Sequence, residues 1–464
     1  MAELLNVSLE QRRLPDTWKE SNITPLHKRG SRQSVSNYRP TINLLNAIPK
    51  CFEYFLQRRI YEFAINQLST KQSGFRKKDS TTFQLIRLVD SWFTRMGKEK
   101  YVSTIFLDLA KAFDKVWHQG LLHKLQLLGI DGDILGWLEN YLSGRKQRVV
   151  VNGQFSDWKT PQAGVPQGSV LSPLHFDIYV NDLAQTADDT NLFADDTSAF
   201  SSNKCPSVLQ SNLQTSTNSI SKWLCDWKLT ANETKTKLMV FTPHSRQTPL
   251  LHITLNGHPI EQTHHHKHLG LVLDDRLNWT HYVNQLCLKI SKQIGMMRSL
   301  KPLLSPPLLD ALYKTCILSI FDYADIIYDP QTQTNIFRLE QLQQRFQKLA
   351  QQKTPSTRNS TPTSSGLTLQ HRRQLHKLVF MHKLQTNKVP KHLTPLRLRT
   401  RSELCPRQLR FPLHVSLPKP RTEALRRSQI YQAGMLWNSV LSEELRATKS
   451  TNKFKSGTLA LLLK

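Results

Sequence analysis

Residues 101–107, Tyr-Val-Ser-Thr-Ile-Phe-Leu, form a run of β-branched and aromatic side chains that stops on an acid, Asp108. A run this apolar reads as a strand buried within a sheet. It therefore commits the chain to a sheet with a carboxylate at one strand end. Asp195 and Asp196 repeat the theme between Leu192-Phe193-Ala194 and Ala199-Phe200. Residues 191–200 predict a tight hairpin that lifts this acid pair to the level of Asp108. Taken singly, an acid at a strand end or in a turn is most often a turn former.

The pattern around these acids is mixed. Phe52, Phe55, Leu56 and Ile60 predict a helix from Pro49 to about Ala64. Another is predicted from about Leu121, with Leu122, Leu125 and Leu128 inside and Gly129 as its stop. Residues 147–160 read as a hairpin turning at Asn152-Gly153. Residues 164–183 read as a Gly/Pro loop running into an apolar helix. Val283, Leu286, Cys287, Ile290, Ile294 and Met297 make one stripe over 281–301, and a further helix opens near Pro306-Pro307. Residues 351–366 hold almost nothing apolar and read as a linker.

Charge divides the chain. Residues 341–464 hold 24 Lys/Arg against 4 Asp/Glu, +20 of a total of +28. Such a segment suits a polyanion: nucleic acid, an anionic surface or a phosphate-rich substrate. The plainer alternative is a solvated, partly disordered arm. The six cysteines include no C-x-x-C pair, which fits reduced thiols in an intracellular protein. The N-terminal MAELLNVSLEQRR lacks the apolar core of a secretory leader. No stretch approaches the ~18 apolar residues of a membrane span, so no membrane partner is expected.

Three strings occur in order: IFLDLAKAFDKVW (105–117), GVPQGSVLSPLHFDIYVND (164–182) and LFADDT (192–197). Together they resemble the catalytic motifs of reverse transcriptases from non-LTR (LINE-type) retrotransposons, especially the jockey and CR1-like groups. Upstream, Trp18-Lys19, Pro25-Leu26-His27-Lys28, Asn37-Tyr38-Arg39-Pro40 and Gln72-Ser73-Gly74-Phe75-Arg76 resemble the fingers motifs of that family. Downstream, Asn232-Glu233-Thr234-Lys235-Thr236, His268-Leu269-Gly270-Leu271, Leu436-Trp437-Asn438-Ser439 and Phe454-Lys455 continue the resemblance.

The resemblance implies an α+β right-hand polymerase. Its parts would be a truncated fingers region at 1–100, a palm at 101–275, a helical thumb at 281–350 and a linker at 351–366. A basic, mainly helical nucleic-acid-binding region would follow at 367–464. It implies an RNA-directed DNA polymerase that uses two Mg²⁺ ions, with Mn²⁺ as the alternative. Template RNA, primer or target DNA and deoxynucleoside triphosphates would be its partners, and the nucleus, or else the cytoplasm, its location. Full-length elements carry an endonuclease domain upstream, and none is expected in this chain.

Carried over residue by residue, Asp108, Asp195 and Asp196 would hold the metals, with the Leu109 carbonyl as a further ligand. Lys235 would protonate the leaving pyrophosphate. Lys28 and Arg39 would hold the triphosphate. Phe113 would wall off a 2′-hydroxyl, and Gln167 would contact the nucleotide. Gly164, Pro166, Gly168 and Ser169 would shape the loop under the template.

The sequence also departs from the family pattern. Asn181-Asp182-Leu183 lies only about ten residues before Phe193, and that gap holds a second acid pair, Asp188-Asp189. His175 and Asp177 stand in a usually apolar helix, and Thr41-Ile42-Asn43 is one residue longer than usual. These departures keep open a second reading, a degenerate or co-opted nucleic-acid binder without chemistry. The His264-His265-His266-Lys267-His268 run reads better as a polar strand or turn than as a metal site. Asp274-Asp275 reads as a turn.

Overall fold

The computed structural model describes residues 2–463 apart from 28–29, 45–46, 244–246, 331, 352–366, 406 and 408–409, with backbone alone at 36, 39–44 and 351. Lys28 and nearly all of the expected linker fall outside the described residues.

Two larger sheets organise the chain. The first joins β1 (Glu20–His27) and β2 (Tyr38–Leu44) to β4 (Lys146–Val151) and β5 (Gln154–Phe155), in the order β2-β1-β4-β5. It thus draws strands from both sides of residue 100. The β4–β5 turn is Asn152-Gly153 as predicted, with both φ angles positive, +50° and +80°. Thr24 pairs with Ile42 but Leu26 with Arg39, so β2 holds one residue more than β1 over this stretch. The extra residue at 41–43 is absorbed as a β-bulge.

The second sheet holds β3 (Tyr101–Leu107), β6 (Thr190–Phe193), β7 (Asp196–Asn203), β8 (Lys237–Phe241) and β11 (Glu261–Gln262), in the order β11-β8-β3-β7-β6. β3 runs antiparallel to both neighbours, Leu107 facing Thr197 and Ile105 facing Leu238. Two short ribbons, β9 (Thr254–Leu255) with β10 (His258–Pro259) and β12 (His265–His268) with β13 (Leu271–Asp274), complete the strands.

Val102 to Leu107 are all buried because helices cover both faces of β3. Ile105 and Leu107 pack in one core with α2 (Ala47–Ala64), α4 (His118–Leu127), α5 (Gly132–Leu142), α6 (Ser172–Tyr179) and α7 (Pro206–Asp226), while α1 (Ala2–Glu10) lies on α5. Val102 and Phe106 pack in the other with α3 (Thr81–Glu99), whose Leu85, Leu88, Val89, Trp92 and Phe93 are buried. The helix expected from Leu121 begins three residues earlier, at His118.

The α3-side core continues into the second half of the chain. It takes in α8 (Thr280–Leu300), α9 (Pro306–Leu312), α10 (Ser319–Asp322) and α11 (Gln333–Gln351). It then takes in α12 (Leu369–Gln385), α15 (Gln429–Val440) and α17 (Thr451–Leu462), with the short α13 (Arg401–Leu404), α14 (Glu423–Arg427) and α16 (Glu443–Ala447) between them. The first turn of α15 is capped across the core, where Ile430 N–H donates to the Asp90 carboxylate of α3 at 3.0 Å.

The alternative of a solvated basic arm is therefore corrected. The segment folds into helices of the core, and some of its cations are internal and matched: Arg373 and Lys377, both buried, meet Asp329 at 2.9 and 2.6 Å, and Arg446 meets Glu443 at 2.9 Å. Neutralised cations can enter a core that bare ones cannot.

Candidate active site

Asp108 leaves β3 where the strand meets residues 230–232. Its carbonyl accepts from Asn232 N–H at 2.6 Å, and Ala110 N–H donates to the Thr230 carbonyl at 2.8 Å. In this pairing Leu109 and Ala231 face each other, so the Leu109 carbonyl turns away from that segment. The turn that follows brings Lys235 Nζ to 3.2 Å from Asp108 Oδ2.

The β6–β7 hairpin supplies the acid pair. Phe193 pairs with Asp196, which leaves Ala194 and Asp195 as a two-residue turn, with Ala194 at φ +55°. The shortened gap upstream does not displace it. Asn181 and Asp182 anchor the gap, accepting from Ser69 N–H and pairing with Lys124, and β7 stays in register with β3. Asp195 and Asp196 are exposed by surface area, yet the recess they share strips water from Asp196. That loss of hydration, with Asp195 and Asp108 as neighbouring negative charges, pushes the Asp196 carboxyl up to about 6. The three expected acids thus converge within electrostatic reach.

The second acid pair has structural work. Asp189 meets Arg95 at 2.9 Å, and the Asp188 carbonyl accepts from Lys71 Nζ. The histidine run is a strand: His266 stacks on Phe106 at 4.3 Å, His265 on His281, and His264 meets Asp275. Asp274 is buried and caps the N–H groups of Arg276, Asn278 and Trp279, the turn expected of it. His175 and Asp177 are buried in α6, where Asp177 meets Arg76 at 3.4 Å and burial pushes its carboxyl up to about 8.

Beside the acids, Phe113 is half-buried and stacks on Phe176 at 4.5 Å. The 164–169 loop docks against the same turn. Gly164 and Val165 N–H donate to the Val116 and Phe113 carbonyls, and the Gln167 amide donates to Asp114 at 3.0 Å. A Cβ on Gly164 would meet the Asp114 carbonyl at 2.8 Å, and the residue holds φ +97°. Gly168 also has positive φ. The Pro166 carbonyl accepts from Ser169 N–H and the Ser172 hydroxyl, and the Ser169 hydroxyl caps Leu171 and Ser172. Arg39 is a backbone position on β2.

Glu53 went unread in the sequence. It is buried in α2, accepting from Tyr141 O–H at 2.9 Å and Val170 N–H at 2.6 Å, and so holds the far end of the same loop. An acid beside Phe52 and Leu56 on an apolar stripe was the available signal.

Among the described residues, the tightest metal-like group lies elsewhere. Ligand atoms of Asp322, Asp325 and His376 fall within 4.8 Å of one another. Arg372 already takes both Asp322 oxygens, and His376 meets Asp325 at 2.6 Å, so this group is spoken for. Asp108, Asp195 and Asp196 are all-oxygen ligands with excess negative charge, which fits hard divalent cations.

Residues 26–273 match the family described as reverse transcriptase (RNA-dependent DNA polymerase). The chain is 31% identical to the probable RNA-directed DNA polymerase from transposon X-element of Drosophila melanogaster, over 75% of this chain and 39% of that one. It is 29% identical to the corresponding protein of transposon BS from the same species, over 74% and 40%. It is 30% identical to the RNA-directed DNA polymerase from mobile element jockey of Drosophila funebris, over 67% and 35%. The chain thus spans about two fifths of the length of these relatives or less.

Proposed function

The chain belongs to the reverse transcriptase family, and from that premise we propose that it extends a DNA 3′-hydroxyl on an RNA template. The mobile-element setting of its relatives, jockey and the X-element, is extended to it here. The observation that carries the reading is the convergence of Asp108, Asp195 and Asp196 despite the shortened gap.

In this reading the β3 sheet lies in the palm (101–275), residues 1–100 are the fingers, and 281–350 the thumb. Residues 367–464 grip template RNA or target DNA through their exposed cations. Asp108, Asp195, Asp196 and the Leu109 carbonyl hold two Mg²⁺ ions. When bound, these would activate the 3′-hydroxyl and neutralise the triphosphate. Lys235 stands at Asp108 and supplies a proton to the leaving pyrophosphate. Phe113, fixed by its stack on Phe176, excludes a 2′-hydroxyl by bulk. Lys28 and Arg39 hold the triphosphate, and Gly164, Pro166, Gln167, Gly168 and Ser169 support the nascent pair.

The test is primer extension on an RNA template with Mg²⁺ and deoxynucleotides. Extension by the wild type that is lost in Asp195→Asn is expected. A wild type that binds nucleic acid without extending it would assign the chain to the non-catalytic reading instead.

A further inference from the structure

The Asp195–Asp196 hairpin is not held by its own sheet alone. Residues 71–74 run alongside β6: Leu192 N–H donates to the Lys71 carbonyl at 2.9 Å, and Ser73 N–H donates to the Leu192 carbonyl at 3.0 Å. Between them lies Gln72, 2% exposed. Its side-chain oxygen accepts from Gly74 N–H at 2.8 Å and from Ala194 N–H at 3.1 Å. Ala194 is the first residue of the hairpin turn. It is buried and left-handed, a conformation that a residue with a Cβ holds only where its surroundings impose it.

Gly74 closes the arrangement from the other side. A Cβ there would lie 2.3 Å from Ala194 N, so only glycine lets the strap come this close. A buried N–H without an acceptor is strongly disfavoured, and the two-residue turn has none of its own to offer. The Gln72 oxygen therefore selects the turn geometry of Ala194. The next two residues in the chain are the acids. Ser73 steadies the strap, its hydroxyl donating to the buried Gln84 at 2.9 Å.

We infer that Gln72 is a positioning residue that acts through Ala194 to set where the Asp195 and Asp196 carboxylates stand relative to Asp108. It touches neither metal nor nucleotide. The inference rests on the polymerase reading above, in which those acids are the metal ligands.

Three forms decide it: the wild type, Gln72→Leu, which removes the acceptor at similar size, and Gln72→Glu, which keeps it. Steady-state extension gives kcat, KM for deoxynucleotide and the Mg²⁺ concentration for half-maximal rate. Hydrogen exchange is read on the peptide covering 190–198.

Gln72→Leu is expected to lower kcat about 10- to 100-fold. KM should stay within about twofold, the Mg²⁺ requirement should rise, and 190–198 should exchange faster. Gln72→Glu should recover most of the rate and the protection. Gln72→Met replaces Gln72→Leu should the latter not fold.

A Leu variant with wild-type kcat and unchanged exchange would overturn the inference, as would equal losses in Leu and Glu. If the wild type itself does not extend, the polymerase reading fails. Exchange at 190–198 then decides the positioning alone, and no difference between wild type and Leu rejects it.

Discussion

Asp108, Asp195 and Asp196 face one another, and burial and mutual repulsion push Asp196 up to about 6. Asp322, Asp325 and Asp329 make an equally acidic group some 130 residues further on, but α12 answers each of them with Arg372, His376, or Arg373 and Lys377. The second group is mortar between helices. The first is met less fully, with Lys235 at 3.2 Å from Asp108, and in the polymerase reading divalent cations from solution would supply the rest. Clustering alone does not separate the two: ligand atoms of Asp322, Asp325 and His376 in the second lie within 4.8 Å of one another. What separates them is degree: one helix brings four basic side chains to the second group, whereas Lys235 stands at Asp108 in the first.

Four experiments press on this difference. The largest effect is expected from Asp108→Asn, which should cut extension by about 10⁴-fold, ~5 kcal/mol in barrier. Its thermal midpoint should be unchanged or raised, because the substitution relieves repulsion. A large loss of stability would place Asp108 with the mortar.

The converse substitution is Asp329→Ala, which strands two buried cations. It should destabilise the fold by about 4 kcal/mol, read as a shift in urea midpoint. A small shift would break the contrast.

Asp90 sharpens it with a buried acid held by hydrogen-bond donors. Burial pushes its carboxyl up to about 6, against the pull of the Ile430 and Gln429 N–H groups and Ser428. A carboxyl raised in this way favours the folded state while protonated. That contribution is complete below about pH 4 and is lost as pH rises through about 6, roughly 3 kcal/mol in all. Asp90→Asn should flatten that part of the stability–pH curve.

The smallest effect is a metal shift. Mg²⁺ at about ten times its dissociation constant should stabilise the wild type by ~1.4 kcal/mol. Asp108→Asn should abolish this, and Asp322→Asn should leave it intact.

The three candidate metal-binding acids were legible because their signal is local. A strand run ending on Asp108, and an acid pair between short apolar runs, are patterns a few residues long. The helices at 47–64 and 280–300 were legible for the same reason, as stripes at a fixed period. Gln72 gave no such signal. Its meaning depends on a backbone N–H 122 residues away, and no spacing encodes that. The pairing of β4 with β1 was hidden likewise, since a parallel neighbour is chosen by tertiary contact. The C-terminal region was legible only in part. Charge counted along a chain does not show which cations meet acids from another segment. Arg373, buried against Asp329, is indistinguishable by sequence from an exposed arginine.

The bond from Ile430 to Asp90 spans 340 residues. During synthesis from the N-terminus, α3 therefore emerges on the order of tens of seconds before its cover is made. Through that interval the side of α3 that α14 and α15 cover is bare, and the nascent chain needs shelter from aggregation. Shortening the chain from its C-terminal side would make that interval permanent. The basic region is thus no detachable tail; its arrival completes the core on the α3 side of the sheet that carries the acids.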